Sequence, residues 1–192
     1  MDPGDLPVRS FPDAAAWREW LVTEGATAAG VWLKTARKGA AEPTVSYAEA
    51  VEVALCFGWI DGQKRPLDDS YWLQRFTPRK PGSRWSLINT QKAEAQIAAG
   101  RMQPAGMREV EAAKADGRWQ RAYANQRSAE VPEDLRQALA ANSAAAEFFA
   151  TISRINRYAI LYRIQTVKRP ETRARKIQQY VQMLAEHKTI HP

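Results

Sequence analysis

Residues 46–76 confine the chain to folds in which a helix feeds straight into a β-hairpin. Ser46 and Glu49 stand at capping-box spacing, each able to satisfy a free backbone N–H at a helix start. Tyr47, Ala50, Val51, Ala54 and Leu55 then keep the i, i+3, i+4, i+7, i+8 rhythm of one buried helical face, and Gly58 stops the run. Directly afterwards the composition changes. Residues 59–65 (WIDGQKR) and 70–76 (SYWLQRF) flank Pro66-Leu67-Asp68-Asp69, a turn-like connection, and the pattern predicts an antiparallel hairpin. In its second strand Trp72, Gln74 and Phe76 share one face, expected to be the covered one, and Tyr71, Leu73 and Arg75 share the other.

The flanking segments supply the remaining elements. Residues 1–10, with two prolines and a glycine, read as loose. Asp13 can cap a helix carrying Trp17, Trp20 and Leu21, and Gly25 ends it. Residues 30–35 (GVWLKT) read as a strand, from which Lys34, Arg37 and Lys38 lead into a loop. Pro78 and Pro81 break the sheet; Ser86 then caps a helix over 87–98, and Pro104 opens another that runs to Gly117. Everything beyond is helical, after a polar linker over 126–132. Leu135, Ala138 and Leu139 mark one helix, Phe148, Phe149 and Ile152 a second. Two more are divided at Arg169-Pro170, the last with a stripe of Ala174, Ile177, Val181 and Leu184. The expected architecture is α+β: a small three-stranded antiparallel sheet near Val31, Trp59 and Trp72, covered by helices, with a helical C-terminal half. The corresponding domains are 11–125 and 132–186, packed as one unit.

Composition decides which partners to look for. The net charge of +7 favours anionic over cationic ones. Residues 154–192 hold nine Lys and Arg against Glu171 and Glu186, an excess equal to that of the whole chain. One cysteine, Cys56, excludes an internal disulfide, and its place in the last apolar turn of a helix reads as a small buried hydrophobe. The N-terminal residues show no basic-then-apolar signal pattern, and no uninterrupted apolar run reaches the ~18 residues of a membrane span. A cytoplasmic location without a membrane segment is expected. Both histidines, His187 and His191, lie in the terminal tail, so neither a Cys/His zinc site nor a Ser-His-Asp triad can be assembled in the body. No metal and no cofactor is expected.

The chemistry concentrates between Trp59 and Asn89. Lys64, Arg65, Arg75, Arg79, Lys80 and Arg84 are interleaved with Trp59, Trp72 and Trp85. Guanidinium groups bind phosphate or carboxylate as a fork, and indole faces stack on planar groups or on arginine itself. Such a mixture suits a small anionic or planar ligand; it also suits a core of tryptophans with a solvated cationic rim. Asp61, among the cations, reads either as a general base with arginine anion clamps or as a strand-end hydrogen-bond acceptor. The basic tail offers a third reading. Arg169, Arg173, Arg175 and Lys176 could contact nucleic acid or an acidic protein, or could pair with Glu130, Glu133, Asp134 or Glu147 of the same chain.

Two sets of blocks resemble one family. Gly58-Trp59-Ile60-Asp61-Gly62, Arg75-Phe76-Thr77-Pro78-Arg79, and Ser83-Arg84-Trp85-Ser86 with Asn89 form the first set. Tyr158, Tyr162-Arg163 and Lys168-Arg169-Pro170-Glu171-Thr172-Arg173-Ala174-Arg175-Lys176-Ile177 form the second. Together they are similar to the YdeI/OmpD-associated, or bacteriocin-protection, family, and the resemblance covers residues 17–184. It implies a role in protection against cationic antimicrobial peptides, association with an outer-membrane porin, and an oligonucleotide/oligosaccharide-binding type of fold. It implies no catalytic set.

Overall fold

The computed structural model describes residues 6–124, 129–167 and 169–192. Gln126, Arg127 and Ser128 of the expected linker lie outside the described residues. Those described form eight helices and a four-stranded mixed sheet, and the chain divides into two compact units.

The first unit comprises residues 6–83 and Asn89–Gln120. Its sheet has the order β1-β2-β4-β3, from β1 (Val8–Arg9), β2 (Val31–Ala36), β3 (Trp59–Pro66) and β4 (Tyr71–Pro78). β4 pairs antiparallel with both β2 and β3. The expected three antiparallel strands are present, but the sheet is not purely antiparallel. β1, in a segment that reads as loose, lies parallel to β2 with Val8 opposite Trp32. Two residues cannot display an alternation. The strand exists through long-range pairing, as when the Trp32 N–H donates to the Pro7 carbonyl at 2.9 Å.

Helices α1 (Ala14–Thr23) and α2 (Tyr47–Cys56) supply the apolar cover for one face of this sheet. Asp13 caps α1 by accepting from the Ala16 N–H at 2.9 Å. Both arms of the Ser46–Glu49 capping box are made, and these bonds from Ser46 hold the Glu49 carboxyl below its ordinary range. In the core Trp17 and Trp20 stack at 5.3 Å, and Trp59 meets both edge-on. Phe76 of β4 joins them, 5.6 Å from Trp17. One expected core position differs. Tyr47, at the first turn of α2, is 42% exposed, because its hydroxyl reaches Asp61 on β3 instead of turning inward.

Two glycines set how α2 leaves the core. Gly58 has φ +75, and a Cβ there would come within 2.9 Å of the Ala105 carbonyl oxygen on α4 (Pro104–Ala115). Gly106, on α4, would place a Cβ 2.3 Å from the Cys56 oxygen. The backbones of α2 and α4 therefore touch where α2 ends and β3 begins. Residues from Asn89 onward in helix α3 (Leu87–Ala98) complete this unit.

The second unit comprises Arg84–Ile88 and residues from Arg121 onward. Its helices are α5 (Glu133–Ala140), α6 (Ser143–Thr151), α7 (Arg154–Gln165) and α8 (Pro170–Ala185). The break at Pro170 falls where the sequence places it. Leu135, Leu139, Phe149, Ile160, Ile164, Ile177, Tyr180 and Leu184 make the core. Within α8 the buried set is Ile177, Tyr180 and Leu184, with Val181 partly buried; Ala174, expected in the stripe, is exposed. The inward position on that turn goes to Arg173. Its guanidinium forks onto Asp134 of α5 (Nε–Oδ2 2.6 Å, Nη2–Oδ1 3.0 Å), and its Nη1 donates to the Ile164 carbonyl of α7 at 3.0 Å.

Two outcomes follow for this unit. Ile177→Asp would put an unpaired carboxylate among apolar side chains, and should destabilise the unit by more than ~2 kcal/mol. Urea denaturation followed by circular dichroism measures it, and an unchanged midpoint would show that Ile177 is not core. The second concerns acid. The hydrogen bond from Arg173 holds the Asp134 carboxyl below its ordinary value, against the opposing effect of burial. A depressed native pKa means the contribution is complete above the unfolded carboxylate value of about 3.9 and is lost as pH falls through the native one. Asp134→Asn should therefore lower the urea midpoint near neutral pH, and the gap to the parent should close below about pH 4. A gap of constant size down to acid pH would exclude ionisation of Asp134 as its origin.

Candidate functional site

The period of β4 sorts the hairpin's side chains onto two faces. On the face toward α1 and α2, Val31 opposes Phe76, Leu33 opposes Gln74 and Thr35 opposes Trp72. On the other, Trp32 opposes Arg75, Lys34 opposes Leu73 and Ala36 opposes Tyr71. Across the hairpin, Asp61 opposes Phe76 and Lys64 opposes Gln74, with a bulge between Asp61 and Lys64. The buried Gln74 side chain serves that bulge: its amide donates to the Gly62 carbonyl at 2.8 Å and to that of Gln63 at 3.3 Å. The bulge adds a residue to β3, which turns Lys64, Arg65 and Pro66 with the strand's twist.

At the hairpin's far end Trp72 emerges from the covered face and is half-buried. Its ring lies 5.8 Å from that of Tyr47, whose hydroxyl donates to Asp61 Oδ2 at 2.7 Å. Beside Trp72 is an open groove of ≈ 340 Å³ lined by Arg37, Lys64, Arg65, Pro66 and Trp72. Arg37 enters it from the end of β2, where its backbone N–H donates to the Ser70 carbonyl at 2.8 Å. Among the described residues none of these three cations forms an ion pair. Arg65 is instead held by an aromatic ring, its guanidinium carbon 4.2 Å from the centre of Trp32. Lys34 lies likewise over Tyr71, at 3.7 Å.

The groove thus unites three of the residues singled out from sequence, Lys64, Arg65 and Trp72. Arg75 is on the opposite face of the sheet, beside Trp32. Trp59 is in the core, its indole N–H donating to the Gly25 carbonyl at 3.2 Å, and Arg79 is buried at the end of the hairpin. Arg84 and Trp85 belong to the second unit, where the Arg84 Nη1 donates to the Tyr162 hydroxyl at 2.8 Å. Asn89, in α3, is half-buried in the first. Asp61 does not line the groove but is tied to Tyr47. Sequence reasoning omitted Arg37 and Tyr47 from the site. The signal for Arg37 was a cation at the end of the β2 run, and only the β2–β4 register shows that it arrives beside Trp72.

Two other features of the sequence find structural roles. Cys56 is buried; its thiol donates to Gln96 Oε1 at 3.7 Å, and burial pushes its pKa up, away from a reactive thiolate. In the basic tail Arg173 is committed to Asp134 and Ile164, while Arg169 and Arg175 are exposed. No group of His, Cys, Asp and Glu among the described residues is placed to hold a metal ion, and no helix among them is long and apolar enough to cross a membrane.

Residues 128–187 match the model of a family described as Bacteriocin-protection, YdeI or OmpD-Associated. The resemblance read from the sequence holds for its C-terminal blocks and is narrower than residues 17–184. The blocks between Gly58 and Asn89 fall within a different match, over residues 9–109, to a domain of unknown function (DUF8412). No curated protein and no solved structure matches the chain. The match over 9–109 spans more than half of the 192 residues, so the chain belongs to the family defined by the domain of unknown function DUF8412, followed by a segment similar to the YdeI/OmpD-associated family.

Proposed function

We propose that the chain binds a small, planar, anionic molecule in the groove at the end of the β3–β4 hairpin. The observation that carries this reading is that Arg37, Lys64 and Arg65, none of them ion-paired among the described residues, line one groove with the half-buried Trp72. Like charges are brought together against their mutual repulsion, and an anion between them would relieve it. The indole offers a stacking surface for a ring, and Pro66 adds an apolar wall. A groove of ≈ 340 Å³ is at the small end of the range that ligand sites occupy. In this reading Asp61 acts as a positioning group: by accepting from Tyr47 it fixes the ring that packs against Trp72. The family description of the C-terminal segment speaks of bacteriocin protection. With a net charge of +7 the chain would repel a cationic peptide, so in this reading the ligand is an anion and any such role is indirect.

The test is tryptophan fluorescence of the full chain against nucleotides, phosphosugars and aromatic acids, at low and moderate salt. One class should quench or shift the emission saturably. An Arg37→Ala, Lys64→Ala double variant should weaken its binding by at least roughly tenfold while melting as the parent does, since each charge-assisted bond contributes ~1.5–3 kcal/mol. Arg65 is left intact because it also covers Trp32. If nothing binds, or if every anion binds alike and is displaced by moderate salt, the groove is a diffuse basic patch and the reading fails.

A further inference from the structure

We propose that the face of the sheet turned away from α1 and α2 carries a site for a phosphate-type oxyanion, formed by the guanidinium groups of Arg75 and Arg65 and the indole N–H of Trp32. The site is separate from the groove and does not depend on the groove's being occupied, although Arg65 borders both.

The starting point is a pair of buried donors. Trp32 Nε1 and Arg75 Nε are both shielded from solvent and have no hydrogen-bond partner among the described residues. Trp32 itself is only 4% exposed. An N–H withdrawn from water and given no acceptor is a costly arrangement, and few native ones lack an explanation. These two are neighbours. Trp32 and Arg75 are directly opposed across the β2–β4 pair on one face, which brings their Cβ atoms to roughly 4.5–5.5 Å. Arg65 adds a second guanidinium to the same indole, stacked 4.2 Å from its ring centre.

The charge of the missing acceptor follows from its neighbours. Neither Arg65 nor Arg75 is ion-paired among the described residues, and Lys34, on the same face, is over Tyr71 rather than beside a carboxylate. A neutral acceptor would satisfy the N–H groups and leave two guanidinium charges uncompensated. An oxyanion satisfies both. The donors come from three side chains on three adjacent strands, and a tetrahedral anion, with oxygens directed several ways, fits that spread better than a planar carboxylate. On the β3 side Gly62 places no side chain against Arg75; a Cβ there would sit in ordinary van der Waals contact with the Arg75 stem, at 3.8 Å.

The experiment follows the indole N–H resonances of the uniformly ¹⁵N-labelled full chain during titration with inorganic phosphate, at ionic strength held constant with chloride. The chain has seven tryptophans, and Trp32→Phe identifies the Trp32 signal by its loss. That signal should move saturably. Arg75→Gln should weaken phosphate binding about 10- to 100-fold, and Trp32→Phe, followed through the Arg75 Nε–H, about 3- to 10-fold. Thermal melts confirm that each variant folds; should Arg75→Gln not fold, Trp32→Phe carries the test alone. Arg37→Ala with Lys64→Ala should leave phosphate affinity within about twofold, because it disables only the groove. Phenyl phosphate distinguishes the sources. Tighter binding than inorganic phosphate, lost in the groove variant, marks the oxyanion as one end of the groove's ligand; equal binding marks free phosphate. A Trp32 signal that phosphate does not move, or that moves alike in Arg75→Gln, overturns the site even if the groove binds its own ligand.

Discussion

The register of β4 is the constraint on which the first unit depends. This strand is hydrogen-bonded on both sides, antiparallel to β2 and to β3, so its alternation dictates which side chains of three strands meet. A shift of one residue would carry Phe76 out of the tryptophan cluster and drive Arg75 into it. Gln74 pins the arrangement from inside. Its buried amide answers the carbonyls that the bulge in β3 withdraws from the ladder, so bulge and register require each other. The bulge in turn precedes Lys64, Arg65 and Pro66, three of the five residues that line the groove.

The groove and the opposite face share a second device. Arg65 and Lys34 are fixed by stacking on Trp32 and Tyr71, and neither pairs with an acid among the described residues. A carboxylate partner would hold each cation equally well and cancel its charge; an aromatic ring holds it and leaves the field intact. The tail shows the opposite use of arginine. Arg173 spends its charge on Asp134 and a backbone carbonyl, and what it delivers is helix packing.

Elements with local signals were legible from the sequence. The Ser46–Glu49 box, the hairpin, the Pro104 start and the Pro170 break each rest on a few neighbouring residues, and each appears in the structure. What required the fold was the destination of each aromatic and each cation. Trp59 and Trp72 share a composition and a hairpin, yet one enters the core and the other borders a groove, because α1 and α2 cover one end of the sheet more fully than the other. Arg79 is buried and Arg37 joins the groove for the same reason: position relative to long-range partners, which spacing along the chain does not encode. β1 is the extreme case, a strand of two residues that owes its existence to β2. Ala174 and Arg173 exchange their expected places because a forked ion pair can claim an inward position that hydrophobic periodicity assigns to an apolar residue.

The bulged end of β3 has a further consequence, for how copies of this chain behave toward one another. β3 is an edge strand, and its outer backbone groups are a template for any other extended segment. A break in the ladder at Gly62 and Gln63, then Lys64, Arg65 and Pro66, spoil that template by irregular spacing, like-charge repulsion and a missing donor. At the opposite edge β1 is too short to recruit a partner strand. Lys64 and Arg65, which line the groove, therefore also oppose growth of the sheet by edge-to-edge association. Neutralising them to improve crystallisation would trade colloidal stability for it.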